Sequence, residues 1–290
     1  MPVFSHEENP LNEQEWKSIN SLVIEVARRR LVGRRIVDLY GPLGSGVQTI
    51  VHEQFAGTTI GSVSLTGDDG TDPIRPVQSE AAIIPLVYKD FIIHWRDVQY
   101  SRQSGAPLDT SAASAAASLT ADAEDNLVFN GGMGAQGLMN AEGRQILVRR
   151  DWTEPGNPFQ DVVDAMQMLV QAGFYGPYAM LVTPQLYAQL FQIHPGTGVL
   201  EIETIRQLMT EGVYQSPLIT EGCGAMVATG SQNFDLVVAQ DLAVAFLGGE
   251  KMNLPFRVFE SVYFRIKRAA AIVTLEAGQG ESKGKARRGK

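Results

Sequence analysis

Residues 41–80 constrain the fold more than any other segment, because they combine an extended pattern with few large apolar side chains. Short β-rich pieces at 58–60 and 62–65 lie between glycines, and 68–73 is a strong turn signal. Two strands joined by a turn predict a long hairpin. Since such a hairpin cannot bury much surface against its own domain, we predict that it protrudes as an arm and is a candidate for binding a neighbouring subunit.

Two stretches of the sequence carry apolar residues at helical spacing. The first covers about 11–31, where Asn12 and Glu15 match a capping box and Gly33 is placed to end the helix. The second is an alanine-rich helix with Asp109 as its candidate cap and Gly131 at its end. The small alanine side chains allow other elements to approach this helix closely. Its predicted apolar stripe consists of Leu108, Ala112, Ala116, Leu119, Ala123 and Leu127.

The remainder of the chain divides into an α/β unit, closing strands and a tail. Within 134–230 the pattern predicts a helix that ends at Gly173, a strand at 178–182, a helix that begins at Thr183 and Pro184, a loop at 194–198 and a helix at 201–211. Pieces at 234–239, 242–247 and 256–266 then predict strands, the last with one buried face. Residues 278–290 carry five basic residues against one acidic residue, which predicts a disordered, solvated tail.

Composition narrows the class of protein. The chain has 290 residues, of which 44% are hydrophobic and 19% charged, as is typical of a folded protein with a sizeable core. The single cysteine, Cys223, excludes an internal disulfide framework and a multi-cysteine metal cluster. The net charge of −8 argues against nucleic acid as a partner, and no apolar run is long enough to span a membrane. We expect a soluble, cytoplasmic protein without a signal peptide.

No catalytic or metal-binding constellation stands out in the sequence. The glycines at 41–46 lack the Lys-Ser/Thr of a phosphate-binding loop, and no G-x-S-x-G motif occurs. No metal-ligand spacing relates the four histidines, which are His6, His52, His94 and His194. An ordinary position on helix surface is expected for the carboxylates of Asp122, Glu124, Asp125, Glu201 and Glu203. We therefore expect no enzyme, no cofactor and no metal.

The order of these elements resembles the Hong Kong 97 phage-capsid fold, an α+β fold. Several short motifs narrow the resemblance to the encapsulin (linocin-type) shell proteins. They are LNEQEW at 11–16, LVGRRIVD at 31–38 followed by Gly41 and Pro42, GPY at 176–178, GVLE at 198–201 and QDL at 240–242. The resemblance covers about residues 9–275. None of the motifs is catalytic, and their order and spacing together carry the specificity.

The resemblance implies the shell subunit of a nanocompartment. Sixty copies, or a multiple of sixty, would close an icosahedral cage around cargo enzymes that carry a C-terminal targeting peptide. The implied cargo is a ferritin-like iron-storage protein first and a dye-decolorising peroxidase second. The implied domains are the N-terminal helix with the start of a peripheral domain (1–49), an extended loop (50–80), the peripheral domain with its spine helix (81–133), an axial domain (134–230), the closing peripheral strands (231–277) and the basic tail (278–290).

Two functional surfaces follow from the same resemblance. A cargo-docking surface would take apolar contacts from Val23, Ile24, Ala27, Leu31, Leu242 and Val244, and charge from Arg34 and Asp38. For each apolar member, ordinary core packing is an equally open interpretation. A five-fold pore would be lined by Gln192, His194, Pro195, Gly196, Thr197 and Gly198. His194 would make that pore respond to pH.

Two other classes of protein remain open. A phage or prophage major capsid protein is disfavoured by the acidic composition, because packaged DNA favours a basic lumen. Neighbouring portal and terminase genes would distinguish it from a shell protein beside ferritin-like or peroxidase genes. A hydrolase or bacteriocin is disfavoured by the missing constellation, and a peptidase assay on purified shells would test it.

Overall fold

Three β-sheets organise the part of the chain that the computed structural model describes, residues 10–56, 61, 63–67 and 73–278. The strands are β1 (Asp38–Tyr40), β2 (Thr49–Ala56), β3 (Arg75–Ile83), β4 (Leu86–His94), β5 (Gln145–Arg149), β6 (Tyr178–Val182), β7 (Gly212–Gln215), β8 (Gly224–Ala228), β9 (Phe234–Phe246), β10 (Asn253–Ile266) and β11 (Ile272–Ala277). The helices are α1 (Glu13–Arg30), α2 (Trp95–Ser104), α3 (Ser111–Asn130), α4 (Asn157–Gln171), α5 (Pro184–Gln189) and α6 (Glu201–Leu208), with short 3-10 helices at Gly33–Arg35 and Ala269–Ala271.

The first sheet has the strand order β1-β9-β10-β4. β1 runs parallel to β9, and the other pairs are antiparallel. One face of β10 is buried as predicted, through Phe256, Val258, Val262 and Phe264. Helices α1 and α3 cover this face, and the core between them contains Ile19, Val23, Phe91, Ala117, Val244 and Phe256.

Strand β9 corrects one prediction. The pieces at 234–239 and 242–247 form a single strand of 13 residues, Phe234–Phe246. Its register against β10 shifts between Phe259 and Val262, opposite Gln240. An irregularity of this kind lets β9 continue through the polar residues Gln240 and Asp241. Asp241 thereby lies beside the residues that follow α1.

The predicted hairpin is confirmed. β2 and β3 pair antiparallel from Thr49 opposite Ile83 to Ala56 opposite Arg75, and they form a two-stranded sheet of their own. At its base, Val47 and Ile50 pack against Ile84, Val237 and Ala239. The strand predicted at 62–65 is absent at 63–65. The piece at 58–60 and nearly all of the predicted turn at 68–73 lie outside the described residues.

Helix α1 begins as the sequence predicts, but Gly33 does not end it: Gly33 belongs to the 3-10 helix that follows. The Asn12 side chain accepts the backbone N–H of Glu15 at 2.8 Å, and the Glu15 carboxylate accepts that of Asn12 at 2.8 Å. This reciprocal capping box satisfies two backbone donors that a helix start leaves unpaired. The helix ends at Arg30, where Leu31 turns to an extended conformation.

The apolar stripe predicted for α3 is correct for Leu108, Ala116 and Leu127, which are buried or packed on the core, and wrong for its other three members. Ala112, Leu119 and Ala123 are exposed, Leu119 by 50%, whereas Ala113, Ala117, Thr120, Ala121, Glu124 and Asp125 are buried. Alanines occur on both the predicted and the observed buried face of α3, so their spacing does not determine which face is buried. The face is instead selected by Glu124 and Asp125, which bind groups at and beside Arg34. The expectation that these two acids lie on ordinary helix surface is wrong.

The second sheet has the order β5-β11-β8-β6-β7, with α4, α5 and α6 packed around it. In this sheet β8 pairs with β6 and with β11. The last described strand, β11, therefore completes the 134–230 unit. The predicted domain boundary at residue 231 separates β11 from this unit, whereas the apolar run of β11 is buried between β5 and β8. α6 ends at Leu208 rather than Glu211, and residues 279–290 lie outside the described chain. Among the described helices, none is long and apolar enough to cross a membrane.

Candidate functional site

The eight residues predicted to form a cargo-docking surface lie on α1, in the segment after it and on β9. Half of them are buried in the core of the subunit: Val23, Ala27, Leu31 and Val244. For these four, the core interpretation holds within the subunit, and Val23 is only 1% exposed. Ile24 is 39% exposed, Leu242 is partly exposed and packs on Ala27 and Leu31, and Asp38 is exposed on β1. The exposed part of the predicted surface therefore reduces to Ile24 and Leu242, because Asp38 lies opposite Asp235, seven residues along β9 from Leu242.

Arg34, the remaining predicted docking residue, lies in an ionic cluster. We define the Arg34 cluster as Arg34, Glu124, Asp241 and Glu260. The guanidinium donates to Glu124 through Nε at 2.8 Å and Nη2 at 2.7 Å, to Glu260 through Nη2 at 2.7 Å, and to Asp241 through Nη1 at 2.8 Å. It joins the segment after α1 to α3, β9 and β10. This arrangement commits the guanidinium to the subunit's own carboxylates rather than to a cargo peptide.

Burial sets the electrostatics of the Arg34 cluster. Glu124 and Glu260 are buried, while Asp241 is largely exposed. Burial opposes the charge on Arg34, but the hydrogen bond and charge of Glu124, with the charge of Glu260, raise the guanidinium pKa above its usual range. Burial, and then the charge of Glu124, raise the pKa of Glu260 well above its ordinary value. The guanidinium is charged throughout the accessible pH range, whereas Glu260 favours its neutral form.

Asp125 lies beside the cluster and binds the same segment of chain. Its carboxylate accepts the backbone N–H groups of Val32 at 2.9 Å and Gly33 at 2.8 Å. A side chain at Gly33 would meet the Asp125 oxygen at 3.0 Å, so glycine allows this close approach. Burial raises the pKa of Asp125 to about 7, against the lowering effect of the two backbone donors.

The predicted pore loop is a short, closed excursion of the chain. The backbone N–H of His194 donates to the Val199 carbonyl at 2.8 Å, and Ile193 bridges Leu200. Gly196 and Gly198 have φ of +78° and +71°, a left-handed conformation that favours glycine. Pro195, Gly196, Thr197 and Gly198 are exposed. The tip of the loop is therefore 195–198, and it consists of small residues.

Gln192 and His194, in contrast, hold the base of the loop. The Gln192 amide donates to the Trp152 carbonyl at 2.6 Å. The His194 ring packs edge-on against Phe159, with centroids 5.2 Å apart, and no hydrogen-bond partner among the described residues reaches its buried Nδ1. These two side chains are partly buried, so they are placed to support the loop rather than to line an opening.

Glu201 is a structural residue that the sequence analysis placed wrongly. It is buried, and its carboxylate accepts the backbone N–H groups of Gly156 and Phe159. α4 begins at Asn157 without a side-chain cap from its own N-cap residue, Gly156. A carboxylate from α6 thus supplies the acceptor that the start of α4 needs. In the sequence, the only sign of this role is that Glu201 directly follows the apolar Leu200.

The described residues bring together no catalytic constellation. No group of three or more His, Cys, Asp and Glu side chains among them is arranged to hold a metal ion. Cys223 is free and partly buried, as expected. The arrangement instead provides three structural features. They are the hairpin that forms its own sheet, the part of α1 where Ile24 is partly exposed, and the loop of small residues at 195–198.

Sequence comparisons place the chain among shell proteins. A family model described as "Encapsulating protein for peroxidase" matches residues 1–263. The chain is 50% identical to the type 1 encapsulin shell protein EncA of Myxococcus xanthus over 95% of this chain and 97% of that one. It is 41% identical to a diheme-cytochrome-encapsulin shell fusion protein of Kuenenia stuttgartiensis (92% and 74%) and 28% identical to a ferritin-like-encapsulin shell fusion protein of Pyrococcus furiosus (71% and 56%).

Solved structures show the same fold. A virus-like particle from Pyrococcus furiosus aligns with a TM-score of 0.72 at 24% identity, over 91% of this chain and 99% of that one. The capsid of Myoviridae phage XM1 aligns with a TM-score of 0.61 at 13% identity, over 83% and 90%. The expected Hong Kong 97 α+β fold is thereby confirmed. The family is a structural one rather than an enzyme family, and this chain belongs to it: it is an encapsulin shell protein.

Proposed function

We propose that sixty copies of this chain, or a multiple of sixty, close into an icosahedral shell. The observation that carries the proposal is the hairpin of β2 and β3, which forms a sheet of its own and exposes Val51 and Ile83. A two-stranded hairpin is marginally stable in water by itself. Contact with a neighbouring copy would supply the surface that this hairpin lacks.

Two groups of exposed apolar residues support further contacts between copies. One lies on a single face of β4 and consists of Leu86, Tyr88 and Ile92. The other lies at the two ends of the loop tip 195–198 and consists of Phe191, Ile193 and Val199. Exposed apolar groups of this kind mark interaction sites. The second group favours a five-fold contact in which residues 195–198 line the opening and His194 and Gln192 support them.

Expression of the chain alone tests assembly. We expect size-exclusion chromatography to give a single particle of megadalton size, and negative-stain microscopy to show closed shells. The particle diameter would distinguish sixty subunits from a multiple. A clean monomer or a small ring would contradict the proposal.

The cargo peptide is proposed to dock on what remains exposed of the predicted surface near the end of α1: Ile24 and Leu242. Asp38 lies opposite Asp235, seven residues along β9 from Leu242, so it would meet only a more distant part of the peptide. Val23, Ala27, Leu31 and Val244 would support this surface from the core, and Arg34 would hold its base. Short apolar side chains with one basic group match a surface of this kind. Each aliphatic side chain buried there would contribute about 1.5–3 kcal/mol to binding.

Replacing Ile24 by aspartate should give shells that assemble but contain little cargo. Ile24 is 39% exposed, so the subunit tolerates the change, whereas a cargo peptide would bury an unpaired carboxylate. We expect the cargo-to-shell ratio to fall about tenfold or more on co-expression, because roughly 1.4 kcal/mol corresponds to a factor of ten. Gel densitometry of purified particles measures the ratio.

The matched control is Ser18→Asp. Ser18 is exposed on the same helix, about 120° around its axis from Ile24, so this variant adds the same charge away from the proposed surface. Normal loading is expected. Equal loading by both variants would place the docking site elsewhere. Failure of the Ile24 variant alone to assemble would show that this residue serves subunit contacts.

The cargo is proposed to be a ferritin-like iron-storage protein, with a dye-decolorising peroxidase second. Support comes from the ferritin-like fusion in Pyrococcus furiosus and from the peroxidase in the description of the family. A cytoplasmic shell is proposed with it, consistent with a single, free cysteine. Mass spectrometry of the contents of shells purified from the native cell tests the identity. Iron-free contents without a ferritin-like chain would overturn the first choice.

A further inference from the structure

The Arg34 cluster contains more buried negative charge than its single cation can neutralise. Glu124 and Glu260 are both buried, and both bind the same guanidinium nitrogen, Nη2, at 2.7 Å. Asp241 also binds Arg34, but solvent screens it because its side chain is 60% exposed. The two buried carboxyl groups therefore share one guanidinium, and one of them is better accommodated as a neutral acid.

Glu260 is the carboxyl group placed to carry that proton. Among the described residues, no donor reaches its buried Oε1. The charged groups that face it are Arg34 after α1, Glu124 on α3 and Asp241 on β9. On the neighbouring strand β4, the residue opposite Glu260 is the uncharged Val87. A proton on Glu260 is thus the available means of neutralising the second buried carboxyl group.

Asp125 fastens the same junction as an acceptor. It holds the backbone of Val32 and Gly33 directly, and the charged groups around it are Glu124 and Asp122 on its own helix and Arg30 on α1. Arg30 also binds Asp122 through two hydrogen bonds, at 2.6 Å and 3.0 Å. Four of the five residues 30–34 therefore bind a carboxyl group of α3.

We propose that the Arg34 cluster and Asp125 form a proton-linked latch, which fastens the chain after α1 to α3 and the first sheet and loosens as pH rises. In the closed state Glu260 retains a proton that it would release to water in the open state. The closed state therefore binds more protons, and opening becomes easier with increasing pH. For Glu260 the window of this effect extends upward from its ordinary pKa of 4.5.

Hydrogen exchange of intact shells between about pH 5 and 7 tests the latch. The amides of residues 31–35 report opening, after correction for the intrinsic pH dependence of exchange. Each group that loses its proton on opening raises the opening constant about tenfold per pH unit. We expect a rise of that order for the wild type. Glu260→Gln keeps an acceptor for Arg34 but has no proton to release, so we expect the rise to be lost in this variant.

Controls decide between a latch and a general effect of pH. Glu25→Gln removes an exposed carboxylate of α1 that binds Arg29, and it should leave the slope unchanged. The buried strand β6 should keep constant protection in every protein. Equal slopes for the wild type and Glu260→Gln would overturn the proposal. If that variant fails to assemble, infrared spectra of wild-type shells replace it. A carboxylic-acid C=O band that persists at neutral pH and disappears at alkaline pH supports the latch, and its absence at neutral pH refutes it.

Discussion

Replacing Arg34 by methionine is expected to destabilise the subunit by about 3–5 kcal/mol, the usual cost of removing one partner from a buried ionic group. The variant leaves Glu124 and Glu260 buried without a cation. It also releases the contact between the segment after α1 and strands β9 and β10. We expect a lower unfolding temperature or a failure to assemble, measured by differential scanning calorimetry and size-exclusion chromatography of the soluble fraction.

Arg30→Met is the matched control for that prediction. Arg30 also binds an aspartate of α3, but its side chain is half exposed, so its loss should cost about 1 kcal/mol or less. A triple variant, Arg34→Met with Glu124→Gln and Glu260→Gln, removes the uncompensated charge and should regain much of the lost stability. Equal stability of Arg34→Met and Arg30→Met would show that the cluster contributes little. A loss of cargo without a loss of stability would return Arg34 to the docking surface.

Deleting residues 58–72 is expected to abolish shell closure while leaving the subunit folded. The deletion removes chain between β2 and β3 and keeps both strands. Since these strands form a sheet separate from the other two, the core of the subunit does not depend on the removed segment. Circular dichroism should show a folded protein, and light scattering with negative-stain microscopy should show monomers or small oligomers.

A flexible linker of the same length, in place of residues 58–72, separates two roles of the arm. Closure with the linker but not with the deletion would mean that the arm acts by its reach. Failure of both would mean that its side chains bind the neighbouring copy. Intact shells from the deletion variant would remove the arm from the explanation of assembly.

Local signals predicted the elements that depend on neighbours in the sequence. The capping box of Asn12 and Glu15 begins α1, and Thr183 accepts the N–H of Leu186 at the start of α5, as predicted. The alternation in β10 predicted its strand. The turn-rich composition of 41–80 predicted a hairpin, although β2 and β3 lie outside the pieces named as its strands. Each of these features is decided within a few residues, where propensity and hydrogen bonding to the chain's own backbone dominate.

Predictions failed where a residue's environment comes from a distant part of the chain. Glu124, Asp125 and Glu201 have the composition of helix surface, yet their partners lie about 90 residues away for the first two and about 45 for the third. β11 was assigned with the strands that precede it, although its neighbours in the sheet are β5 and β8. Helical spacing describes one element at a time and contains no information about such partners.

The sequence by itself determined the family, the hairpin, the two long helices and the lack of catalytic motifs, because these rest on local pattern and on short motifs in order. Only the tertiary structure decided which face of α3 is buried and which predicted docking residues are core. It also decided that Arg34 binds the subunit's own carboxyl groups. The physical reason is that burying a charge is favourable only with a partner, and the partners of Arg34 on α3, β9 and β10 meet it only in the folded chain.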